Sequence, residues 1–373
     1  MTDSTATNSS QAEPTVIVRA ENRMTRITLN RPRALNALTR DMVVQVRAAL
    51  SEAATQGADV VVLEGAGERG FCGGGDVKSM SSDGLEAALE FLSQEYLTDF
   101  AIHTSPIAVV GIMHGITMGG GIGLTAHAAT RVVTERSLLS MPETRIGIAP
   151  DVGGDLLLAR CPGRLGELLA ISSGTFNGQD AIALGFADHY VPSDRLDELT
   201  RRLASGESPE AVCAALAVVP PASTIVADHT WFDEIADSAL GSAEVTLADP
   251  VAATARLLEQ LETSQHEGAR QLATTVRGLC PMSVVVSIAQ IARVRRDDLD
   301  LATVLADAYR TLGRLLPRPD FAEGVRALLI DRDGTPHWQP ARVEDLDPAA
   351  VRAILDPEPV AGETPLDVRQ QAH

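Results

Sequence analysis

Apolar and polar residues alternate between positions 15 and 30. Val16 and Val18 mark one arm and Ile27 and Leu29 the other, which predicts two strands joined by a hairpin turn at Glu21-Asn22. The period then lengthens. Met42, Val46, Ala49 and Ala53 recur at three- and four-residue steps, so 39–55 is expected to be a helix with Thr39 as its N-cap. Asp59 to Leu63 is a short apolar run of the kind found in strands buried on both faces, and glycine-rich sequence follows it at 65–75. The pattern repeats: a helix over 83–101, a second buried strand from Ile107 to Met113, and a second glycine-rich segment at 119–123. A third unit runs from Arg131 to Pro142, and 164–185 is expected to be helical with a turn at 172–174. Strand, glycine loop and helix in succession predict an α/β architecture of βαβ type, with function placed at strand ends.

After about residue 195 the strand signals fade, and amphipathic helices are predicted up to about residue 330. SGESPE (205–210) and VVPPAS (218–223) read as linkers. The expected organisation is a disordered tail over 1–14, a core over 15–200, a mostly helical region over 201–355 that covers the site, and a frayed tail over 356–373.

Charge narrows the partners. The chain of 373 residues has 31 Lys and Arg against 50 Asp and Glu, a formal charge of −19. Phosphate-backbone binding needs a basic face, so nucleic acid is not an expected partner. An anionic small molecule can still bind where a few cations and backbone N–H groups converge. Lys78 is the sole lysine. No run of 18 or more uncharged apolar residues occurs, so no membrane span is expected. The first 15 residues lack the basic and apolar blocks of a secretory signal. Cys72, Cys161, Cys213 and Cys280 are widely spaced with no CxxC pair. A zinc ribbon, a dithiol site and a disulfide framework are therefore not expected, and a reducing cytoplasm fits.

The candidate chemistry lies in two glycine runs and two acids. Gly73, Gly74 and Gly75 follow the first buried strand; Gly119, Gly120 and Gly121 follow the second. Either run alone also serves a tight turn. Two such turns side by side can aim two N–H groups at one oxygen, and each donor of such an oxyanion hole contributes roughly 3–4 kcal/mol to the transition state. Glu143 (in MPET) and Asp151 (in APDVGG) flank apolar, Gly- and Pro-containing sequence at a strand–loop–helix junction. A carboxylate pair beside an oxyanion hole suits acyl chemistry, one group attacking or activating water and the other orienting. A helix cap at Asp151 and a strand-end ion pair at Glu143 are the plain alternatives. GGGIG at 119–123 lacks the dinucleotide spacing, and there is no P-loop, GxSxG elbow or HExxH motif. His114 and His127 read as satisfied core histidines.

Four segments together, LNRPRALNAL (29–38), GAGERGFCGGGDV (65–77), HGITMGGGIGL (114–124) and MPETRIGIAPDVGG (141–154), resemble the crotonase, or enoyl-CoA hydratase/isomerase, superfamily. The resemblance implies a spiral of ββα units followed by a helical region, an acyl-CoA substrate, and an assembly that is a trimer, a hexamer or a monomer; no metal or redox cofactor is indicated by the sequence. By motif match it implies oxyanion donors at Gly75 and Gly120, a pantetheine contact at Gly73, a CoA-binding loop at Arg33, Ala34 and Leu35, and local positive charge from Lys78. Hydratases of the superfamily carry a second glutamate where this chain has Gly123. With that acid absent and Asp151 present, and with LPRPDFAEGVRALLIDRDGTPHWQPA (316–341) near the C-terminus, the chain is most similar to the 3-hydroxyisobutyryl-CoA hydrolase branch. That branch implies thioester hydrolysis, Glu143 as nucleophile or base, Asp151 as its partner, a substrate contact at Glu95 in the QEY segment, and a place in valine degradation. The other readings are hydration or isomerisation of an enoyl-CoA, and a non-catalytic acyl-CoA binder.

Overall fold

A computed structural model describes residues 13–371. The tail expected over 1–14 falls almost wholly outside them. The first hairpin pairs β1 (Val16–Glu21) antiparallel to β2 (Met24–Leu29), turning at Asn22 in the left-handed region. Then come α1 (Arg40–Thr55), capped by the Thr39 hydroxyl accepting from Met42 N at 3.3 Å, and β3 (Val60–Gly65). They are followed by α2 (Val77–Ser82), α3 (Leu85–His103), β4 (Ala108–Met113), β5 (Ile116–Met118), α4 (Gly120–Ala126), β6 (Thr130–Val133) and β7 (Leu138–Ser140). Next are α5 (Gly154–Ala159), α6 (Leu165–Ser172), β8 (Thr175–Asn177), α7 (Gly178–Leu184) and β9 (His189–Tyr190), then α8 (Leu196–Ala204) and α9 (Pro209–Leu216).

The main sheet has the order β1-β2-β3-β4-β6-β9, parallel from β2 onward. A smaller sheet, β5-β7-β8, lies beside it. Isolated pairings of Cys72 with Thr117 and of Leu38 with Gly75 extend the small sheet's ladder back toward the start of the chain. The chain thus steps repeatedly from a long strand in the main sheet to a short strand in the second layer and then into a helix. Both glycine runs fall at that step, so the spiral stacks them as neighbours. Gly70 illustrates the closeness: a Cβ there would stand 2.2 Å from Ile116 N.

Both faces of the main sheet are covered, as the apolar runs require. Val61, Leu63 and Val109 point into the principal core with Ile27 and Leu29. Val60, Val62, Val110 and Ile112 point the other way, onto Leu199 and Leu203 of α8 and Val212 and Leu216 of α9. The principal core continues without interruption from Val16 to Val368. The helical region beyond residue 200 therefore shares its hydrophobic core with the sheet. Helix Pro281–Asp297 packs on α5 and α6, and helix Leu301–Leu315 packs on α3.

Three expectations need correction. The helix expected over 164–185 is broken by β8, because Phe176 pairs with Leu139 of β7 and buries its ring against Phe186. The unit expected from Arg131 to Pro142 is two strands in different sheets. The tail expected to fray from 356 is docked over its described part. Leu366 and Val368 are buried, and helix Val368–Gln371 packs on α3 and on helix Leu301–Leu315. Arg314, with only 10% of its side chain exposed, binds both oxygens of Glu363 at 2.7 and 2.8 Å and donates to the carbonyls of Ala353, Asp356 and Glu358. Such charge-assisted, bidentate bonds are the strong kind. Arg314→Ala is expected to cost about 1–3 kcal/mol of stability and to make the segment after Asp356 the first cleaved in limited proteolysis. Wild-type cleavage order and melting temperature would contradict this.

Candidate active site

A cavity of about 390 Å³ opens where the two glycine runs meet α3 and the segment 140–151. Gly73, Gly75, Gly120, Glu95, Glu143 and Asp151 all line it. Its apolar wall comes from Met80, Phe91, Leu92, Ile146 and Ile148, and the C-terminal region closes over it with Leu328 and Leu329.

The runs abut. A Cβ on Gly74, whose φ is +94°, would stand 3.1 Å from Met118 O and 3.6 Å from Gly120 N. Among the described residues the Gly75 N–H has no protein acceptor. Gly120 is the first residue of α4, and a first-turn N–H has no partner within its own helix. Two uncommitted main-chain donors therefore border one cavity. Asn36, fully buried, fastens the preceding loop to this region: its amide donates to Ala66 O and Phe71 O at 3.0 and 2.9 Å, and its oxygen accepts from Arg31 N at 2.8 Å. Arg31 in turn pairs with Asp76 at 3.2 Å, at the end of the glycine run. Sequence reasoning had singled out neither Asn36 nor Arg31, although both lie in LNRPRALNAL.

The acids are buried. Glu143 lies in a single helical turn, Glu143–Arg145, directly after β7. Its Oε1 would touch a Cβ on Gly119 at 3.1 Å, and its Oε2 has no partner. The strand-end ion pair is absent among the described residues. Asp151 caps no helix; its Oδ2 accepts a 2.7 Å bond from the hydroxyl of Tyr96, which is fully buried. Glu95 is 2% exposed, and its Oε1 is so close to Gly120 that a Cβ there would lie 2.1 Å away. No side chain larger than hydrogen fits at 120 while Glu95 holds this position. Asp99, also buried, fills the space beside Gly123: its Oδ2 would be 2.7 Å from a Cβ at that position. It does not line the cavity.

Leu92, Glu95, Tyr96 and Asp99 share one inward face of α3 at three- and four-residue spacing. Two acids on an otherwise apolar stripe are the signal by which Tyr96 and Asp99 could have been found. Burial and mutual repulsion push these carboxyls up. Burial is the leading cause at Glu95, Asp99 and Glu143, followed in each by the Asp151 charge, and all three stand well above the ordinary carboxylate range. Asp151 is raised by burial to about 6, with the Tyr96 bond lowering it. Among the described residues neither Glu143 nor Asp151 has a salt-bridge partner, and after burial the Asp151 charge is what most raises Glu143.

The CoA-side residues expected from the motif lie farther out. Leu35, in the left-handed region, packs its side chain on Gly73, where a Cβ would be 3.1 Å from Leu35 Cδ2. Arg33, Ala34 and Lys78 are exposed. None of these four lines the cavity: the loop 31–36 is anchored inward through Asn36, with Arg33 and Ala34 facing solvent and Leu35 packed on Gly73. Lys78 sits on α2, whose Val77 and Met80 do form the wall. His114 bonds Thr134 Oγ1 at 3.0 Å and His127 bonds Val152 O at 2.8 Å, so both histidines are satisfied, as expected.

The family model described as enoyl-CoA hydratase/isomerase matches residues 24–355. Relatives include the mitochondrial 3-hydroxyisobutyryl-CoA hydrolases of Rattus norvegicus, 35% identical over 86% of this chain and 83% of that protein, and of Dictyostelium discoideum, 32% identical over 92% and 91%. Among solved structures, a carnitinyl-CoA dehydratase from Mycobacterium thermoresistibile is 36% identical with a TM-score of 0.83 over 94% of this chain and 98% of that one. An enoyl-CoA hydratase from Rhodobacter sphaeroides is 32% identical with a TM-score of 0.83 over 95% and 99%. With such coverage, a spiral that joins the two glycine runs and acids gathered around them, the chain belongs to the enoyl-CoA hydratase/isomerase family.

Proposed function

We propose that this protein hydrolyses a short, branched 3-hydroxyacyl-CoA of the 3-hydroxyisobutyryl-CoA kind to the free acid and CoA, as the names of its rat and Dictyostelium relatives describe for those proteins. The observation that carries the reading is the burial of Glu143 and Asp151, with no salt bridge to either among the described residues, in the cavity that two uncommitted amides border. The thioester oxygen sits between the N–H groups of Gly75 and Gly120. Glu143, whose Oε2 is unpartnered, attacks the carbonyl to give a mixed anhydride or takes a proton from water as it attacks. Asp151 takes the proton that Glu143 sheds, and its second oxygen orients the 3-hydroxyl or the nucleophile. Glu95, kept neutral by burial, donates a hydrogen bond to the hydroxyl or the CoA arm. The pantetheine passes Gly73 and Leu35, and the phosphates reach the exposed Arg33 and Lys78. Thioester and water supply all the atoms of acid and thiol, so the step needs no cofactor.

The rival reading, hydration of an enoyl-CoA, uses in the superfamily's hydratases an acid at the position that Gly123 holds in this chain. Asp99 lies near Gly123 but is sealed off from the cavity. Thiol release from 3-hydroxyisobutyryl-CoA, measured beside the absorbance of crotonyl-CoA, separates the two: release without loss of the conjugated absorbance is expected. Isobutyryl-CoA, which lacks the hydroxyl, is expected to react at least about tenfold more slowly, since it leaves a buried polar partner unpaired. Equal rates would remove the hydroxyl from the proposal. All four cysteines are free and buried. No single helix among the described residues is long and apolar enough to cross a membrane.

A further inference from the structure

Two side chains that do not line the cavity, Tyr96 and His127, hold Asp151 and the backbone that follows it. At the Asp151 side chain, the Tyr96 hydroxyl donates to Oδ2 at 2.7 Å. The Tyr96 ring is fully buried and meets the ring of Tyr309 edge to face, with centroids 6.5 Å apart, so its hydroxyl has little room to swing away. At the main chain, the next residue, Val152, has φ of +49°, a left-handed conformation that a β-branched side chain disfavours. The carbonyl of Val152 accepts a 2.8 Å bond from His127 Nε2. His127 is buried and is pushed down to about 4, first by burial, so at neutral pH it is an uncharged ring whose Nε2 hydrogen faces that carbonyl. Gly153 follows with φ of +75°, and a Cβ there would strike His127 Nε2 at 2.4 Å. The left-handed Val152–Gly153 backbone is thus tied by the His127 bond on one side and by Gly154 N donating to Asp151 O at 2.6 Å on the other.

We propose that Tyr96 and His127 are positioning residues for Asp151, Tyr96 fixing its carboxylate and His127 fixing the strained backbone that carries it. The proposal rests on the reading of Asp151 as a working group of a thioesterase. The titratable groups facing Asp151 are Glu95 and Asp99 on α3, Glu143 on its turn and Asp155 on α5; those facing His127 are His103, Arg131 and Arg160. Arg145, exposed, also lines the cavity; among the described residues the Tyr96 hydroxyl is the side-chain donor bonded to the Asp151 carboxylate, and it favours the charged form.

The test uses the full chain and the acyl-CoA it hydrolyses fastest. In Tyr96→Phe, kcat should fall about tenfold or more while KM changes less than about threefold. The acid limb of the pH profile should move up by about one unit, because losing a donor to the ionised form raises the carboxyl pKa. His127→Ala should lower kcat at constant KM, and His127→Gln, whose amide N–H can reach the same carbonyl, should recover most of the loss. A Tyr96→Phe profile that overlays the wild type overturns the role of Tyr96. Equal losses in His127→Ala and His127→Gln overturn the role of His127, leaving it a packing residue. Should Tyr96→Phe fail to fold, the histidine pair still decides the backbone half, and a fluorinated tyrosine at 96 tests the acid limb in its place. If the wild type releases no thiol from any acyl-CoA, the hydrolase reading has failed. The positioning claim then stands or falls on carboxyl NMR titration of Asp151, whose midpoint should still rise in Tyr96→Phe.

Discussion

Glu143→Gln should lose at least about a thousandfold in kcat while the protein stays folded and still binds CoA. The amide has the shape of the carboxyl but can neither attack the thioester carbonyl nor accept a proton from water. Glu143 is 4% exposed, has no ion pair to lose, and is held well above the ordinary carboxylate range by burial and by Asp151. Its removal therefore relieves an electrostatic cost, and the melting temperature at pH 8 should be equal to or higher than that of the wild type. Thiol release measures the first effect; calorimetric titration with CoA and a thermal melt measure the second. A rate within tenfold of wild type would reject Glu143 as nucleophile or base. Lost CoA binding would point to a collapsed cavity and not to missing chemistry.

Asp151→Asn should separate activity from stability. The amide oxygen still accepts from Tyr96, so the local geometry survives, but no group remains to take the proton that Glu143 sheds. A fall in kcat of about a hundredfold is expected. Stability should change in the opposite direction. Asp151 stands at about 6 in the folded chain against 3.8 for the free side chain. A carboxyl raised on folding makes no difference below its unfolded value and destabilises increasingly as pH rises from about 4 through about 6. The variant should therefore melt with the wild type below about pH 4 and above it at pH 8, by up to about 3 kcal/mol. Identical melting curves at pH 8 would show that Asp151 carries no such cost. Unchanged hydrolysis would remove it from the mechanism.

These expectations depend on what each level of description could supply. The alternation of 15–30, the DVVVL run and the strand from Ile107 to Met113 predict strands, and the structure has strands there because period-2 patterns and short apolar runs can bury both faces only in a sheet. The helix at 40–55 follows from its stripe and its Thr39 cap. Boundaries failed where pairing decided them: Thr175–Asn177 became a strand only because β7 offered an open edge. The docked tail was equally invisible, since PEPVAGETPLDV is polar and proline-rich, and what holds it, Arg314 from a distant helix and the burial of Leu366 and Val368, lies in the tertiary structure.

The site divides in the same way. The residue types and their order, two glycine runs after two buried strands and two acids in Pro- and Gly-bearing turns, were determined by the sequence alone, because backbone freedom and carboxylate chemistry are properties of single residues and short spacings. Which of those residues share a cavity, which acids lose their water, that Leu35 rather than Arg33 packs on Gly73, and that Tyr96 and His127 grip Asp151 were decided by the tertiary structure. Burial and hydrogen bonds across 25 or 55 residues of chain depend on what the spiral brings into contact, and no local pattern encodes those distances.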